Sequence, residues 1–365
     1  MKYTLVDSQL TQCIENKTII PLNDLDLSSH IQPSSIDIPL GNKAYLLSER
    51  ALSTTHSIEE ILPEIALQTL DLKEETLLLK HHTYLIETDI EINLNSHMSA
   101  KCSPKSSIGR IDVLVRCICS SISMYDVFAT QSRGKLFLEI TPQSFNIIVK
   151  KGVTMSQIRL FEEKHHEKIH IQKKQELLKT CIQDIEKNNS TNSSKLQFDE
   201  HIAFLGIQVS SNKAFGYVAK RTQQPINLTK TNYHSAHDFF EPLRCETDSF
   251  NNSKITIEKN RFYIFHTSQS IRVPSTHSIE MLPYSHLIGD FRAHYAGFFD
   301  PGFGGESGAI GVLEVRSYED IVIYNKQPIC AITIYDNSKI PNKVYGEAKN
   351  NYQGQEGPKL SKFFK

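Results

Sequence analysis

Three stretches of this chain of 365 residues occur twice, in the same order. GNKAYLL (41–47) returns as SNKAFGYV (211–218). YLIETDIEINLNSHMSAKCSPKSSIGR (84–110) lines up with YIFHTSQSIRVPSTHSIEMLPYSHLIGD (263–290). GKLFLEITPQSFNIIVKKGVTMSQIRLFE (134–162) lines up with GAIGVLEVRSYEDIVIYNKQPICAITIYD (308–336). Each match is weak alone, but their common order points to an internal duplication. A chain that repeats itself in this way is expected to build one architecture twice.

The repeated stretches are strand-like. TLLLKHHTYLIETDIEINL (76–94), KLFLEITPQSFNIIVKKG (135–152), ITIEKNRFYIFHT (255–267) and DIVIYNKQPICAITIYD (320–336) are short β-branched and aromatic runs punctuated by Gly, Asn or Pro. Between the copies, Leu177, Leu178, Cys181, Ile182 and Ile185 fall at helical spacing. TLVDSQLTQCIEN (4–16) has the same character, with Leu5, Leu10 and Ile14 as inward candidates. The expected fold is mostly β: two tandem jelly-roll domains, each opened by a short helix. Residues 1–165 form the first, 166–198 a linker and helix, and 199–365 the second.

Composition narrows the function. Apolar residues make up 39% and the net charge is −1, a soluble globular profile without the basic field that nucleic acid or an anionic membrane attracts. No apolar run approaches the ~18–20 residues that span a bilayer, and the N-terminus lacks a signal-peptide pattern. Seven dispersed cysteines with no Cys-x-x-Cys read as reduced thiols in a cytoplasmic protein. Cys117 and Cys119 share one strand face and are expected in the core. The charged run KHHEKIH (164–170) reads as a solvated surface. A Walker loop, a Gly-x-Gly-x-x-Gly behind a strand and the His-x-Glu…Pro-Cys-x-x-Cys of zinc deaminases are absent from the sequence.

Three stretches carry chemistry. KSSIGR (105–110) offers Lys105, the hydroxyls of Ser106 and Ser107, a glycine that admits close backbone approach, and Arg110 as a bidentate cation. That set suits a polyphosphate, and also an ordinary serine-capped turn. Asp300-Pro301-Gly302 is a turn signature in an aromatic setting, and Asp there is commonly a backbone cap. Downstream, Glu314 in GVLEV would face away from Leu313 and Val315. Beneath a pocket such a carboxyl titrates near neutrality and shuttles protons; otherwise it faces solvent. Glu139 in FLEI is its counterpart in the first copy. The tail, VYGEAKNNYQGQEGPKLSKFFK (344–365), reads equally as a frayed end or as a lid over a charged ligand.

Together these residues resemble the dCTP deaminases of the trimeric dUTPase-like superfamily. Lys105 to Arg110 fit its Arg/Lys-Ser-Ser-x-x-Arg motif, and Asp300-Pro301-Gly302 and Val312-Leu313-Glu314 fit its hairpin and strand. SIDIPLGNKAYLL (35–47) is similar to its first long strand. Tyr345, Lys349 and Gln353 take the places of its lid residues. The resemblance implies hydrolytic deamination of dCTP to dUTP and ammonia, for dUMP and dTTP supply. Glu314 would be the proton shuttle, no zinc would act at the reacting carbon, and Mg2+ would accompany the triphosphate. It further implies that Phe299, Asp300, Val312 and Leu313 border the nucleoside, and that the Ala296 carbonyl holds the attacking water.

Each copy departs from the motif set. The second has YSHLIGD (284–290) where the serines and arginine should stand, and the first has SMYDVFATQSRG (123–134) in place of Asp-Pro-Gly. The expectation is therefore a composite site, with Ser106, Ser107 and Arg110 from one copy and Asp300 and Glu314 from the other. A homo-oligomer, a trimer of chains by preference, would close the assembly. Three alternatives stand beside this reading: a dUTP diphosphatase or bifunctional enzyme using Asp300, a non-catalytic nucleotide-binding module, and Glu139 as the working acid.

Overall fold

The structure is a computed structural model. It describes residues 2–50, 52, 55–120, 124–164, 171–184, 197–199, 202–210, 214–282, 291–293, 297–347 and 352–365. Strands dominate, and among the described residues the longest helix is Ile171–Cys181. The fold is two barrel-like jelly rolls, as expected. Short helices open them, Asp7–Glu15 in the first and Ile171–Cys181 in the second. Leu10 and Cys13 in the first helix, and Leu178 and Cys181 in the second, are the buried faces.

Both halves follow one strand order. In the first the neighbours run 113–119, 133–142, 84–93, 36–47, 154–163, 98–104 and 127–128. In the second, 291–293, 309–317, 262–271 and 216–219 lie side by side, and 202–206, 328–336, 277–282 and 298–299 form a separate sheet. The long strand Ile36–Leu47 thus corresponds to two strands in the second half. Register corresponds too: Glu139 lies opposite Leu85, and Glu314 opposite Ile264.

The strand Ala309–Ser317 positions the site. Successive side chains on a strand point to opposite faces. Leu313 and Val315 join the core of the second half. Val312, two residues on the other face, packs instead in the first half's core. That same core takes in Ile226, Phe239, Phe240, Phe262, Ile264, Phe363 and Phe364. The face of the strand that carries Glu314 is therefore turned toward the first copy, across a shared apolar interior.

Candidate active site

The KSSIGR turn (105–110) follows the strand Met98–Pro104. Lys105 leads into a single helical turn, Ser106–Gly109, whose amides bond back along the chain: Ile108 N to Lys105 O at 2.8 Å and Arg110 N to Ser106 O at 3.1 Å. Arg110 is nearly fully buried. Its Nε donates to Ser106 Oγ (3.1 Å), Nη1 to Lys359 O (2.7 Å) and Nη2 to Gln355 Oε1 (3.2 Å). The guanidinium lies 3.7 Å from the ring centroid of Tyr352. A buried cation needs acceptors, and here Ser106 and the chain's own tail provide them.

Glu314 lines the same cavity and is 4% exposed. Burial pushes its carboxyl up to about 8, while Arg110 nearby acts in the opposite direction. The cavity is lined by Ser106, Arg110, Val312, Glu314, Phe298 and Phe299, and closed by Tyr345, Tyr352 and Gln355. Its volume is about 70 Å³, roughly half of the ~150 Å³ that holds a benzene ring. With the tail in place it does not admit a nucleotide. Within one chain, then, Ser106 and Arg110 of the first copy and Glu314 of the second line one cavity.

Asp300 does not line this cavity. Its Oδ1 accepts from Ser34 Oγ (2.6 Å) and Arg159 Nη2 (3.1 Å), and burial raises its carboxyl. Arg159 is fully buried and also donates to the carbonyls of Ser34 and Ile279, both at 3.3 Å. Its guanidinium lies 4.1 Å from the centroid of Phe298, which does line the cavity. Asp300 thus anchors the aromatic corner to the first copy. Gly302 has φ +89°, and an added Cβ would stand 2.7 Å from Val344 Cβ; only glycine turns there while Tyr345 N bonds Pro301 O at 2.7 Å.

The other candidates are placed as follows. Lys105 Nζ pairs with Asp37 and does not line the cavity. Ser107 is buried, and its carbonyl accepts from Ser361 Oγ at 2.7 Å. Leu313 lies in the second core. Tyr345 packs on Phe303 at 5.4 Å between centroids. Gln353 turns to the corner, donating to Gly302 O (3.2 Å) and accepting from Gly304 N (3.1 Å). Ala296 and Lys349 lie outside the described residues. Glu139 is buried but bound by Arg50 (3.2 Å) and Tyr125 (2.8 Å).

Sequence reasoning passed over Gln355 and Tyr352, which meet Arg110, and Met281 and Phe303, which also line the walls. The signal for the first two was present: YQGQ (352–355) places an aromatic and two amides within four residues. Which glutamine turns inward depends on the glycine between them, at φ +61°.

Comparisons with known proteins identify the family. The family model for the 2'-deoxycytidine 5'-triphosphate deaminase (DCD) N-terminal domain matches residues 2–164, and that for its C-terminal domain matches residues 164–364. No curated protein sequence matches the chain. Among solved structures, the 2'-deoxycytidine 5'-triphosphate deaminase from Agrobacterium tumefaciens is similar at 27% identity and a TM-score of 0.81, over 93% of this chain and 99% of that one. With both halves matched end to end, this chain belongs to the 2'-deoxycytidine 5'-triphosphate deaminase family.

Proposed function

We propose that the protein hydrolyses dCTP to dUTP and ammonia, with Glu314 moving the protons. The observation that carries this is the pairing of a buried carboxyl, titrating near pH 8, with Arg110 across one cavity. Arg110 and Ser106 offer N–H and O–H donors suited to phosphate oxygens. As a carboxylate, Glu314 accepts a proton from water as the oxygen adds to C4 of the cytosine. It then delivers that proton to the departing amine, while the second proton of the water leaves the C4 hydroxyl and ends on N3 as the C4 carbonyl forms, so that water and dCTP become ammonia and dUTP. Phe298 and Phe299 offer apolar walls to the base and sugar.

The donors around Arg110 suit an anion rather than a metal, so Mg2+ belongs in this reading on the triphosphate itself, where it neutralises charge when bound. The tail from Tyr352 to Lys359 must leave Arg110 for phosphate to take its place, which makes it the lid of the proposal. Asp300, engaged by Arg159 and Ser34, does not favour a dUTP diphosphatase. A cytoplasmic setting, a role in dUMP and dTTP supply, and association into a trimer are further parts of the proposal. Light scattering with and without nucleotide tests the last.

Replacing Glu314 by Gln keeps the shape and removes the proton relay. Ammonia release from dCTP should fall by about 10²–10⁴-fold, with dCTP still bound by calorimetry. Turnover that survives Glu314→Gln refutes the mechanism. Pyrophosphate release from dUTP would restore the diphosphatase.

A further inference from the structure

Two residues beyond Arg110, and two beyond Glu314, the chain makes a second contact between the copies. Asp112 is fully buried, with φ +57°, a backbone region that a non-glycine residue enters at a cost. Its Oδ2 accepts from Ser144 Oγ at 2.5 Å and pairs with the guanidinium of Arg316. Arg316 lies on the same face of its strand as Glu314, since alternate residues share a face. Its Nη2 also donates to Ser144 Oγ (3.2 Å), and its Nη1 to Asn260 O. Arg316 Nε is buried with no hydrogen-bond partner among the described residues. The guanidinium is thus held here by its carboxylate at the expense of one of its own donors.

The arrangement repeats the active pair with the charges exchanged. The first copy presents a cation to the cavity at 110 and an anion to the interface at 112. The second presents an acid at 314 and a cation at 316. Resting on the reading of the site given above, we propose that Asp112 and Arg316 are positioning residues for deamination. Their ion pair sets the spacing between the phosphate-gripping turn and the glutamate strand, so that Arg110 and Glu314 engage one nucleotide together.

Three features support a positional role. The carboxylate is kept at a position whose backbone favours glycine. Two residues of chain on each side tie the pair to the reacting groups. Both partners also share the Ser144 hydroxyl, which fixes direction as well as distance. A triphosphate gripped at the wrong spacing would still bind, but its binding energy would no longer bring C4 to the carboxyl.

The test compares wild type, Asp112→Asn, Arg316→Lys and Ser144→Ala in the full chain, with active enzyme counted by nucleotide titration and folding checked by thermal unfolding. For dCTP, Asp112→Asn is expected to lower kcat at least tenfold per folded molecule while KM changes less than threefold. Arg316→Lys keeps the charge but not the fork, and should retain an intermediate kcat. Ser144→Ala removes one shared hydrogen bond without stranding a charge, and should lower kcat about threefold. It carries the test if a charge variant fails to fold. Unchanged kcat per folded molecule in the folded variants, with only unfolding temperature lowered, overturns the proposal. Wild-type turnover abolished by Glu314→Gln checks the underlying reading separately. A wild type without turnover overturns both.

Discussion

Glu314 is held in a conflict that can be measured. Desolvation favours its neutral form, and the Arg110 guanidinium favours the charged one, with desolvation the larger effect. In the folded protein the group therefore keeps a proton between its ordinary pKa of 4.5 and about 8, where the unfolded chain has released it. Stability must then fall as pH rises through that window and level off above it, by on the order of a few kcal/mol. Glu314→Gln removes this slope, so the unfolding temperature of the variant relative to wild type should climb from pH 5 to pH 8. A difference independent of pH would show that the carboxyl is not desolvated. In wild type, kcat/KM for dCTP, which reports the free enzyme, should rise with pH, pass half its maximum near 8 and level off above that. That Arg110 and Glu314 were candidates was legible in the sequence, because a carboxyl on an apolar strand and an arginine in a serine turn are unusual choices. Gln355 was not singled out, because Gln353 has the same side chain and only the turn of the tail separates their roles.

At the scale of elements, the aromatic corner depends on a buried ion pair rather than on its own turn. Removing one partner of such a pair strands the other charge, at a cost of ~3–5 kcal/mol. Arg159→Met should lower stability by about that amount in urea unfolding, and should raise KM for dCTP as Phe298 loses the guanidinium on its face. Loss of stability below about 1 kcal/mol would mean that Asp300 finds other partners. The strands themselves could be read from their composition. One helix, Ile58–Ile65, was missed although its start was written out: Ser57 and Glu60 form a reciprocal cap, with Ser57 N donating to Glu60 Oε2 at 2.7 Å. Its Pro63 and its short length hid it.

For the whole molecule, the shared interior makes the two copies one cooperative body. Phe239 of the second half is fully buried in the first half's core, packed against Phe145 at 5.4 Å between centroids. Phe239→Ala should cost ~3–5 kcal/mol. It should also speed amide exchange in the strands Tyr84–Asn93 and Arg133–Pro142, which belong to the other copy. Unchanged exchange there would show that the halves unfold independently. The same shared interior brings Arg110 and Glu314 to one cavity within a single chain.

Local rules act over a few residues, and what depended on them was set by the sequence alone: alternating strands, short opening helices, a motif present in one copy and missing in the other. The approach of residues some two hundred positions apart obeys no local rule. The shared core, the Arg159–Asp300 anchor and the turn of the tail decided it. Only the folded interior could bury Glu314 beside Arg110, and burial is what gives that carboxyl its proton near neutrality.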